Sequence, residues 1–390
     1  MSTPLICLED ITILSDNGTW GNEANPNTGL PVLRSTNIQE NKLVLDEFAW
    51  RDLTEKHRVS KVMQTGDLLI TTSSGSPQLI GKCCIFEQPE NGLSYYFSNF
   101  TMRLRIDTTK MEPKWLYYWL ISERGRNVLT SMNSTTSGLR NLNKALYLKQ
   151  KIPCPEIQEQ RRIVAILDKA DELKSNSEQS KFIRQSLIRS IFVDMFEMGI
   201  GNETHLPLEQ ICKIVDCPHS TPLYSDDPTG YYCVRSQDLT DEGELIFEKM
   251  MQVNRDTFEN RISRHTPKAG DILFLREGSI GRCAIIPNDV EICLGQRIMI
   301  LSPNQNIINP TFLHYLILSD RFQHSLSRFK LGTTAGRVNI KDLRGLLIPT
   351  PELSKQIQFE KFANSLNRVP YAGDVFSLLS KSSTQSLISQ

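Results

Sequence analysis

One strand-loop-strand pattern occurs twice in this chain. GDLLITTSSGSPQLIGKCCIF occupies residues 66–86, and GDILFLREGSIGRCAII occupies residues 270–286. Both stretches open with Gly-Asp, continue with an apolar run typical of a buried strand, and reach Ile-Gly, a basic residue and Cys. The residues between these ends differ in number and chemistry. A framework repeated with a different loop tip predicts one fold that presents two different surfaces.

Other short matches follow in the same order in both halves. They pair LEDI (8–11) with LEQI (208–211), LRSTNI (33–38) with VRSQDL (234–239), PKWLYY (113–118) with PTFLHY (310–315), TTSG (135–138) with TTAG (333–336), and IPCPE (152–156) with IPTPE (348–352). The period is far too long for a solenoid repeat. The sequence therefore predicts a tandem pair of whole domains.

Each copy mixes short β-branched runs with helical apolar spacing, which predicts an α+β fold class. Residues 115–129 and 312–326 have the helical spacing. We place the first domain at residues 1–154 and the second at residues 201–350. A Pro-Glu pair begins the segment after each domain, as is common at a helix N-terminus.

The segments that follow the domains, residues 155–200 and 351–390, are predicted to be long spacer helices. An unbroken central helix of about 40 residues would be roughly 60 Å long. Its apolar stripe favours a partner helix, and pairing with the distal helix would form an antiparallel coiled coil. The stripe residues that we expect to bind partners are Ile163, Ile166, Leu173, Leu187 and Ile191.

Composition narrows the functional class. The 390 residues carry zero formal net charge and nine cysteines, without a Cys-x-x-Cys motif or zinc-finger spacing. We expect a cytoplasmic protein with free thiols, because no secretion signal or membrane-length apolar run is visible. The sequence also lacks the phosphate-binding P-loop, the Gly-x-Ser-x-Gly elbow and the His-Glu-x-x-His motif.

Two basic segments stand out against the neutral total. Residues 124–151 hold six basic residues and no acid, and residues 321–345 hold six basic residues and the single acid Asp342. Each segment contains a Thr-Thr-x-Gly loop and an Asn, which together offer hydroxyl, backbone N–H and guanidinium donors to phosphate oxygens. The predicted DNA contacts are Thr135, Thr136, Gly138, Arg140, Asn141, Thr333, Thr334, Gly336, Arg337 and Asn339.

A second group of polar residues could read base edges. These residues lie within the matched LRSTNI and VRSQDL stretches or in the variable loops, and they are Arg34, Asn37, Arg235, Gln237, Asp238, Ser74, Ser76, Arg276 and Ser279. Arg, Asn, Gln and Asp at such positions also commonly satisfy the hydrogen bonds of a turn. Both roles remain open for the matched stretches from the sequence alone.

The order GD(I/L)LF, IG(R/K)CAI, TTxG, IPxPE and then a long helix, occurring twice over almost the whole chain, resembles the specificity subunits of type I restriction-modification systems. DCPHSTP at residues 216–222 also resembles a stretch near the start of many target-recognition domains, and the first copy lacks it. The resemblance implies two target-recognition domains, each reading one half of a bipartite gapped site in double-stranded DNA. The helices would set the gap.

The same resemblance implies partners and no catalysis by this chain. Two methyltransferase subunits would dock on the helices, carry S-adenosylmethionine and methylate adenine, with restriction subunits as further partners; this chain itself would bind no cofactor or metal. The alternatives are a DNA-acting nuclease with an unrecognised site and a scaffold that binds proteins only. Cys217 beside His219 offers little support for catalysis, because neighbours on a proline turn seldom face each other productively.

Overall fold

The computed structural model describes residues 3–132, 140–196, 204–218, 220–328 and 336–367. These residues form two compact units, one ending at Ser175 and the other beginning at Asn176. We describe the units in turn.

The first unit contains fourteen strands and five short helices among its described residues. The strands are β1 (Leu5–Cys7), β2 (Thr12–Asn17), β3 (Asn22–Glu23), β4 (Leu30–Leu33), β5 (Ile38–Gln39), β6 (Lys42–Leu43), β7 (Ala49–Asp52), β8 (Leu68–Thr71), β9 (Ser73–Ser74), β10 (Cys83–Ile85), β11 (Tyr96–Phe97), β12 (Thr101–Ile106), β13 (Arg140–Asn141) and β14 (Lys151–Pro153). The helices are α1 (Leu8–Ile11), α2 (Glu55–Ser60), α3 (Pro113–Ile121), α4 (Glu123–Met132) and α5 (Lys144–Leu148).

Two four-stranded sheets form the body of this unit. One is antiparallel with the order β10-β8-β12-β2, and the other has the order β11-β4-β7-β3 with β11 parallel to β4. Leu68 and Ile70 of β8 pack with α3, whereas Leu69 packs on the opposite face with Leu33 and Phe97. Because both faces of β8 are buried, its sequence is apolar without alternation.

A helix of 40 residues, α6 (Ile157–Phe196), follows the first domain. The second unit then contains β15 (His205–Pro207), α7 (Leu208–Ile211), β16 (Cys212–Val215), β17 (Tyr224–Ser225), β18 (Tyr231–Val234), β19 (Met251–Val253), α8 (Arg255–Ile262), β20 (Ile272–Leu275), β21 (Cys283–Ile285), β22 (Glu291–Leu294), β23 (Ile298–Pro303), α9 (Pro310–Leu318), α10 (Asp320–Ser327), α11 (Ile340–Arg344), β24 (Leu347–Pro349) and α12 (Leu353–Asn367).

The second unit repeats the topology of the first. Its sheets have the orders β16-β23-β20-β21 and β17-β19-β18-β22, with β18 parallel to β22. Ile272 and Phe274 pack on one face of β20 and Leu273 and Leu275 on the other, as in β8. These matching strand orders confirm the predicted tandem α+β duplication.

The helical segments after β12 and β23 differ from the simple expectation of one helix each. Ser122 ends α3 with an extended backbone, ψ 158°, and Ser319 ends α9 likewise, ψ 146°. The Ser122 hydroxyl accepts a hydrogen bond from the backbone N–H of Gly125, and the Ser319 hydroxyl accepts one from Phe322. Each serine therefore caps a new helix, so each predicted helix is a pair of helices.

The beginning of α6 packs on the first domain. Gln160, Ile163 and Leu167 are buried, and the carboxylate of Asp168 accepts a hydrogen bond from the Tyr118 hydroxyl at 2.8 Å. Burial and this hydrogen bond raise the pKa of Tyr118. Since Ile163 lies inside the core of its own unit, its side chain cannot present a surface to a separate subunit. Our assignment of Ile163 to partner binding is corrected accordingly.

The end of α6 packs on α12 within the second unit. The Phe192 and Phe359 rings lie 5.3 Å apart, and Nη1 of Arg184 donates to the Leu366 carbonyl at 3.3 Å. The contacts shift toward the N-terminus of α12 as they advance along α6, so the two segments are antiparallel. Of the remaining stripe residues, Ile191 is partly buried in this core, Leu173 is half-buried, and Ile166 and Leu187 are exposed.

Residues 368–390, which include most of the predicted distal helix, lie outside the described residues. Within the described ranges, no helix is both long enough and apolar enough to cross a membrane.

Candidate nucleic-acid interface

In the second domain, the variable loop and the basic segment run side by side. After β20, the Arg276 carbonyl accepts a hydrogen bond from the Val338 N–H at 3.0 Å, and the Gly278 N–H donates to the Gly336 carbonyl at 3.1 Å. Glu277 and Arg337 form an antiparallel bridge between these contacts. Two sequence features that were identified separately therefore form one local surface.

The first domain repeats this junction with different side chains. After β8, the Thr72 carbonyl accepts from the Leu142 N–H at 2.8 Å, which corresponds to the Arg276–Val338 contact. Strand β9 pairs with β13, so Ser73 faces Asn141 and Ser74 faces Arg140. The side chain of Arg140 and all of Thr135, Thr136 and Gly138 lie outside the described residues, as do Thr333 and Thr334 of the second domain.

A third segment joins the junction in each domain, immediately before β12 or β23. The Phe100 carbonyl accepts hydrogen bonds from the N–H groups of Thr72 and Ser73 at 2.9 and 3.3 Å. The equivalent residue of the second domain is Arg297. We call residues 72–76, 98–100 and 140–142 the first loop cluster, and residues 276–279, 295–297 and 336–338 the second loop cluster.

The second loop cluster surrounds a polar cavity. The cavity has a volume of about 180 Å³ and is lined by Cys217, Arg276, Glu277, Gln296 and Arg297. Cys217 is buried, and this burial raises the pKa of its thiol. The other four lining residues carry charged or amide groups that can donate hydrogen bonds to base edges or accept them.

A chain of opposite charges runs along this cavity. The Arg276 guanidinium lies 3.2 Å from Asp216 and 3.2 Å from Glu277, and its side chain is only 12% exposed. The other carboxylate oxygen of Glu277 lies 4.0 Å from Nε of Arg297. Arg276 is thus held in place by two acids, whereas the Arg297 side chain is 63% exposed and extends its charge toward solvent.

Arg297 also has an unusual backbone conformation. Its φ is +69°, a region that side chains other than glycine rarely adopt. Such strain persists where surrounding structure enforces it, and it is concentrated at functional sites. Ile298, which begins the following strand β23, is fully buried, so the fold fixes this exposed arginine at the rim of the cavity.

The first loop cluster has an aromatic residue where the second has Arg297. The Phe100 side chain is 55% exposed, and Asn99 beside it is also exposed. An exposed ring can make apolar contact with a thymine methyl or stack on a base, and an arginine cannot replace it in apolar contact. Sequence reasoning missed Phe100 and Arg297, although both immediately precede the matched long strands β12 and β23.

The remaining predicted contacts are distributed over these surfaces. Ser76, Asn141, Ser279, Arg337 and Asn339 are exposed, Ser74 is half-buried and accepts from the Ser76 N–H at 3.2 Å, and Gly336 is half-buried in the backbone bridge. The exposed members lie in or beside the two loop clusters. Among the residues that the structure describes, the side chains of these exposed members have no hydrogen-bond partner.

The residues of the LRSTNI and VRSQDL stretches divide into structural and available groups. Asn37 and Asp238 are 4% and 1% exposed, and their side chains bond to the turns in which they lie. Arg235 forms an ion pair with Asp238. The side chain of Gln237 is exposed, and in the amide orientation that suits its surroundings its oxygen accepts a hydrogen bond from Arg235. We therefore correct the base-reading assignment of Asn37 and Asp238, whose polar atoms the turns already use.

Comparison with known proteins gives the family. Residues 5–183 and 208–366 match the model of the type I restriction modification DNA specificity domain, one match for each repeat. The chain belongs to this family.

Individual relatives agree with this assignment. The chain is 20% identical, over 90% of its length and 83% of the relative, to a Methanocaldococcus jannaschii protein assigned as the MjaX type I restriction enzyme specificity subunit. It is 22% identical to the Escherichia coli EcoBI specificity subunit, over 65% of this chain and 58% of that protein.

A solved structure shares the fold. The type I restriction-modification S subunit from M. genitalium superposes with a TM-score of 0.58 at 13% identity, covering 100% of this chain and 96% of that one. At this identity the likeness concerns the fold, which agrees with the duplicated strand order described above.

Proposed function

We propose that this chain is the DNA-specificity subunit of a type I restriction-modification enzyme and that each domain reads one half of a bipartite, gapped site in double-stranded DNA. The observation that carries this proposal is the pair of loop clusters. One framework of backbone hydrogen bonds recurs in both domains, and it presents Phe100, Asn99 and serines in one and Arg297, Glu277 and Arg276 in the other. Membership of the family supports the same conclusion.

The loop clusters offer two kinds of contact, one to phosphate and one to base edges. Exposed Arg337 and the neighbouring backbone N–H groups suit phosphate oxygens, which fix register and orientation without reading sequence. The side chains that differ between the clusters suit base edges, where bidentate and apolar contacts discriminate between base pairs. The two domains would consequently read unrelated half-sites.

We further propose that this chain performs no chemistry of its own. In this proposal, two methyltransferase subunits bind the spacer helices, hold S-adenosylmethionine and methylate adenine, and restriction subunits complete the complex in the cytoplasm. Ile166, Leu187 and half-buried Leu173 of α6 supply apolar contact area for such a subunit. The spacer helices would set the gap between the half-sites.

The test is to co-express this chain with its genomically adjacent methyltransferase in a methylation-free host and to map N6-methyladenine by long-read sequencing. A gapped two-part motif that requires this chain is the expected result. Absence of new methylation from soluble, co-purifying proteins would contradict the proposal. Cleavage of DNA by the isolated chain with Mg²⁺ would instead favour a nuclease.

A further inference from the structure

The turns after β4 and β18 share a backbone and differ at one side chain. Arg34 and Arg235 are both extended, with φ −113° and −118°. The N–H of each donates at 2.8 Å to the side-chain oxygen three residues later, which belongs to Asn37 in the first domain and Asp238 in the second. The two copies therefore offer an internal comparison of amide and carboxylate in one framework.

In the second domain the carboxylate holds the arginine. Nε and Nη2 of Arg235 donate to the two Asp238 oxygens, each at 3.2 Å, and Nη2 also donates to the Lys249 carbonyl at 3.1 Å. The guanidinium lies 5.8 Å from the centre of the Tyr224 ring. Its charge is neutralised by a fully buried acid, so little of its donor capacity is left for a ligand.

In the first domain the Asn37 amide, rather than the arginine, donates to the carbonyls of the following segment. Nδ2 of Asn37 donates to the Val44 and Glu47 carbonyls at 2.8 and 2.7 Å. The Val44 N–H bonds to the Asn37 carbonyl as the Ile246 N–H bonds to that of Asp238, so the carbonyl of Glu47 corresponds to that of Lys249. The amide satisfies the acceptor that Arg235 satisfies in the other copy.

Arg34 consequently lacks the carboxylate and carbonyl partners that Arg235 has. Nε of Arg34 is buried and has no hydrogen-bond partner among the described residues. Arg34 also takes part in none of the ion pairs found within those residues. A buried N–H without an acceptor costs stability, and an acceptor on another molecule can supply the missing hydrogen bond.

Arg34, with its unpaired Nε–H, lies beside the first loop cluster. The preceding residue, Leu33, accepts a hydrogen bond from the Ser98 N–H at 2.8 Å, and Ser98 leads directly to Asn99 and Phe100. Arg34 therefore borders the surface that carries the exposed Phe100 ring. A planar guanidinium there matches two adjacent acceptors, such as guanine O6 and N7 or two phosphate oxygens.

We infer that Arg34 contacts DNA directly in the first domain, whereas Arg235 is a structural residue of the second. This inference rests on the proposed function and goes further, because it assigns different roles to two residues at the same position of the repeat. The amide or carboxylate at the third following residue decides the role: Asn37 releases Arg34, and Asp238 retains Arg235.

The experiment compares Arg34→Ala with its matched control Arg235→Ala. The full chain is co-expressed with the methyltransferase, and the methylated motif is mapped for each variant and the wild type. For Arg34→Ala we expect methylation at wild-type sites to fall about tenfold or more, as for loss of a bidentate contact. For Arg235→Ala in soluble complex we expect the wild-type motif in both halves.

Contact of Arg34 with guanine and contact with phosphate predict different results for the variants. If Arg34 contacts guanine, one position in one half-site becomes degenerate, and Arg34→Lys does not restore it, because lysine lacks the paired donors. If Arg34 contacts phosphate, the motif is unchanged, binding to a duplex carrying the wild-type motif shows a shallower salt dependence, and Arg34→Lys largely restores it. Either result supports a direct contact.

Asn37→Asp provides a second, independent variant. Its carboxylate should capture Arg34 as Asp238 captures Arg235, and soluble complex should then behave like Arg34→Ala. A wild-type motif, efficiency and salt dependence in Arg34→Ala would overturn the inference, as would equal specificity losses in Arg34→Ala and Arg235→Ala. Failure of the wild type to produce a bipartite motif would instead overturn the proposed function.

Discussion

Nε2 of the His314 imidazole lies 3.1 Å from the carbonyl oxygen of Gly243, inside the core of the second domain. Because a carbonyl only accepts, Nε2 carries the hydrogen and donates it. The first domain makes the same link with different chemistry, since the Tyr117 hydroxyl donates to the Asn41 carbonyl at 3.1 Å. The corresponding backbone acceptor, buried in the second copy and half-buried in the first, is therefore satisfied by an imidazole in one copy and by a phenol in the other.

This difference predicts acid sensitivity of the second domain. Burial lowers the pKa of His314 from 6.5 to about 4; the nearby Arg189 acts in the same direction, and the hydrogen bond to Gly243 opposes it. As pH falls below 6.5 the unfolded chain binds a proton that the folded chain refuses until about pH 4, so stability is lost across this interval. Between pH 7 and pH 5 the loss is about 1–2 kcal/mol.

The variant His314→Gln keeps a donor and cannot titrate. We expect its stability in urea to fall less between pH 7 and pH 5 than that of the wild type. His324→Gln, at an exposed position, should retain the wild-type difference. An equal loss in His314→Gln and wild type would show that His314 does not carry this pH dependence.

Gln356 is predicted to anchor α12 to the second domain. Its buried amide accepts from the Asn309 N–H at 2.8 Å and donates to the Pro351 and Ile307 carbonyls. Gln356→Ala leaves these buried groups without partners and should cost about 2–3 kcal/mol. Calorimetry should therefore show a lower unfolding temperature than for Gln358→Ala, an exposed position on the same helix. Equal temperatures would refute the anchor.

Exchange of residues 206–350 for the equivalent domain of another specificity subunit should change one half of the methylated site only. The reason is that the second loop cluster lies entirely within these residues, and the first lies entirely outside them. Methylation mapping of the chimera checks this expectation. Alteration of both halves would contradict independent reading by the two domains.

Arg337 is predicted to contact phosphate. It is exposed, and its backbone pairs with Glu277 in the second loop cluster. Arg337→Ala should weaken binding of the assembled complex to all DNA sequences and lower the slope of log K against log salt by about 0.9. We expect the same of Arg140→Ala, whereas Lys355→Ala on α12 removes an equal charge outside the cluster and should leave the slope unchanged. An unaltered slope in Arg337→Ala would exclude this contact.

The length of α6 is predicted to set the gap between half-sites. Insertion of one heptad after Ser177 adds about 10 Å of helix, close to three base pairs of DNA. Methylation mapping should then give the same half-sites with a longer gap. A flexible insertion of seven residues at Gly92, where the surroundings are open, should preserve the wild-type gap. A constant gap in the helix variant would disprove the spacer role.

Much of the framework could be predicted from the sequence. The duplication, the α+β class and the buried character of β8 and β20 follow from collinear motifs and unbroken apolar runs. Local hydrogen bonding explains why one helical pattern became two helices, since Ser122 and Ser319 cap the second helix of each pair. A serine within an amphipathic pattern is compatible with either outcome, so periodicity did not separate them.

The candidate site was only partly predictable. The sequence placed Arg276 and Arg337 in separate motifs, and backbone pairing of residues 276–278 with residues 336–338 brought them together. It missed Phe100 and Arg297, because an exposed aromatic residue and an arginine at one repeat position have no common pattern. It also grouped Ile163 with partner-binding residues, because helical spacing indicates an apolar face and does not say what covers it.

The duplication of one framework with different loop tips can be recognised from the residues alone, since strand formation and core burial depend on patterns that neighbouring residues carry. Which polar side chains remain available for a ligand depends on contacts that form in the folded domain. Arg34 and Arg235 occupy equivalent positions, but the Asn37 amide donates to the Glu47 carbonyl in the first domain, whereas Arg235 itself donates to the corresponding Lys249 carbonyl in the second. These hydrogen bonds depend on distances of about 3 Å to a carbonyl ten or more residues later in the chain, and those distances exist only in the folded domain.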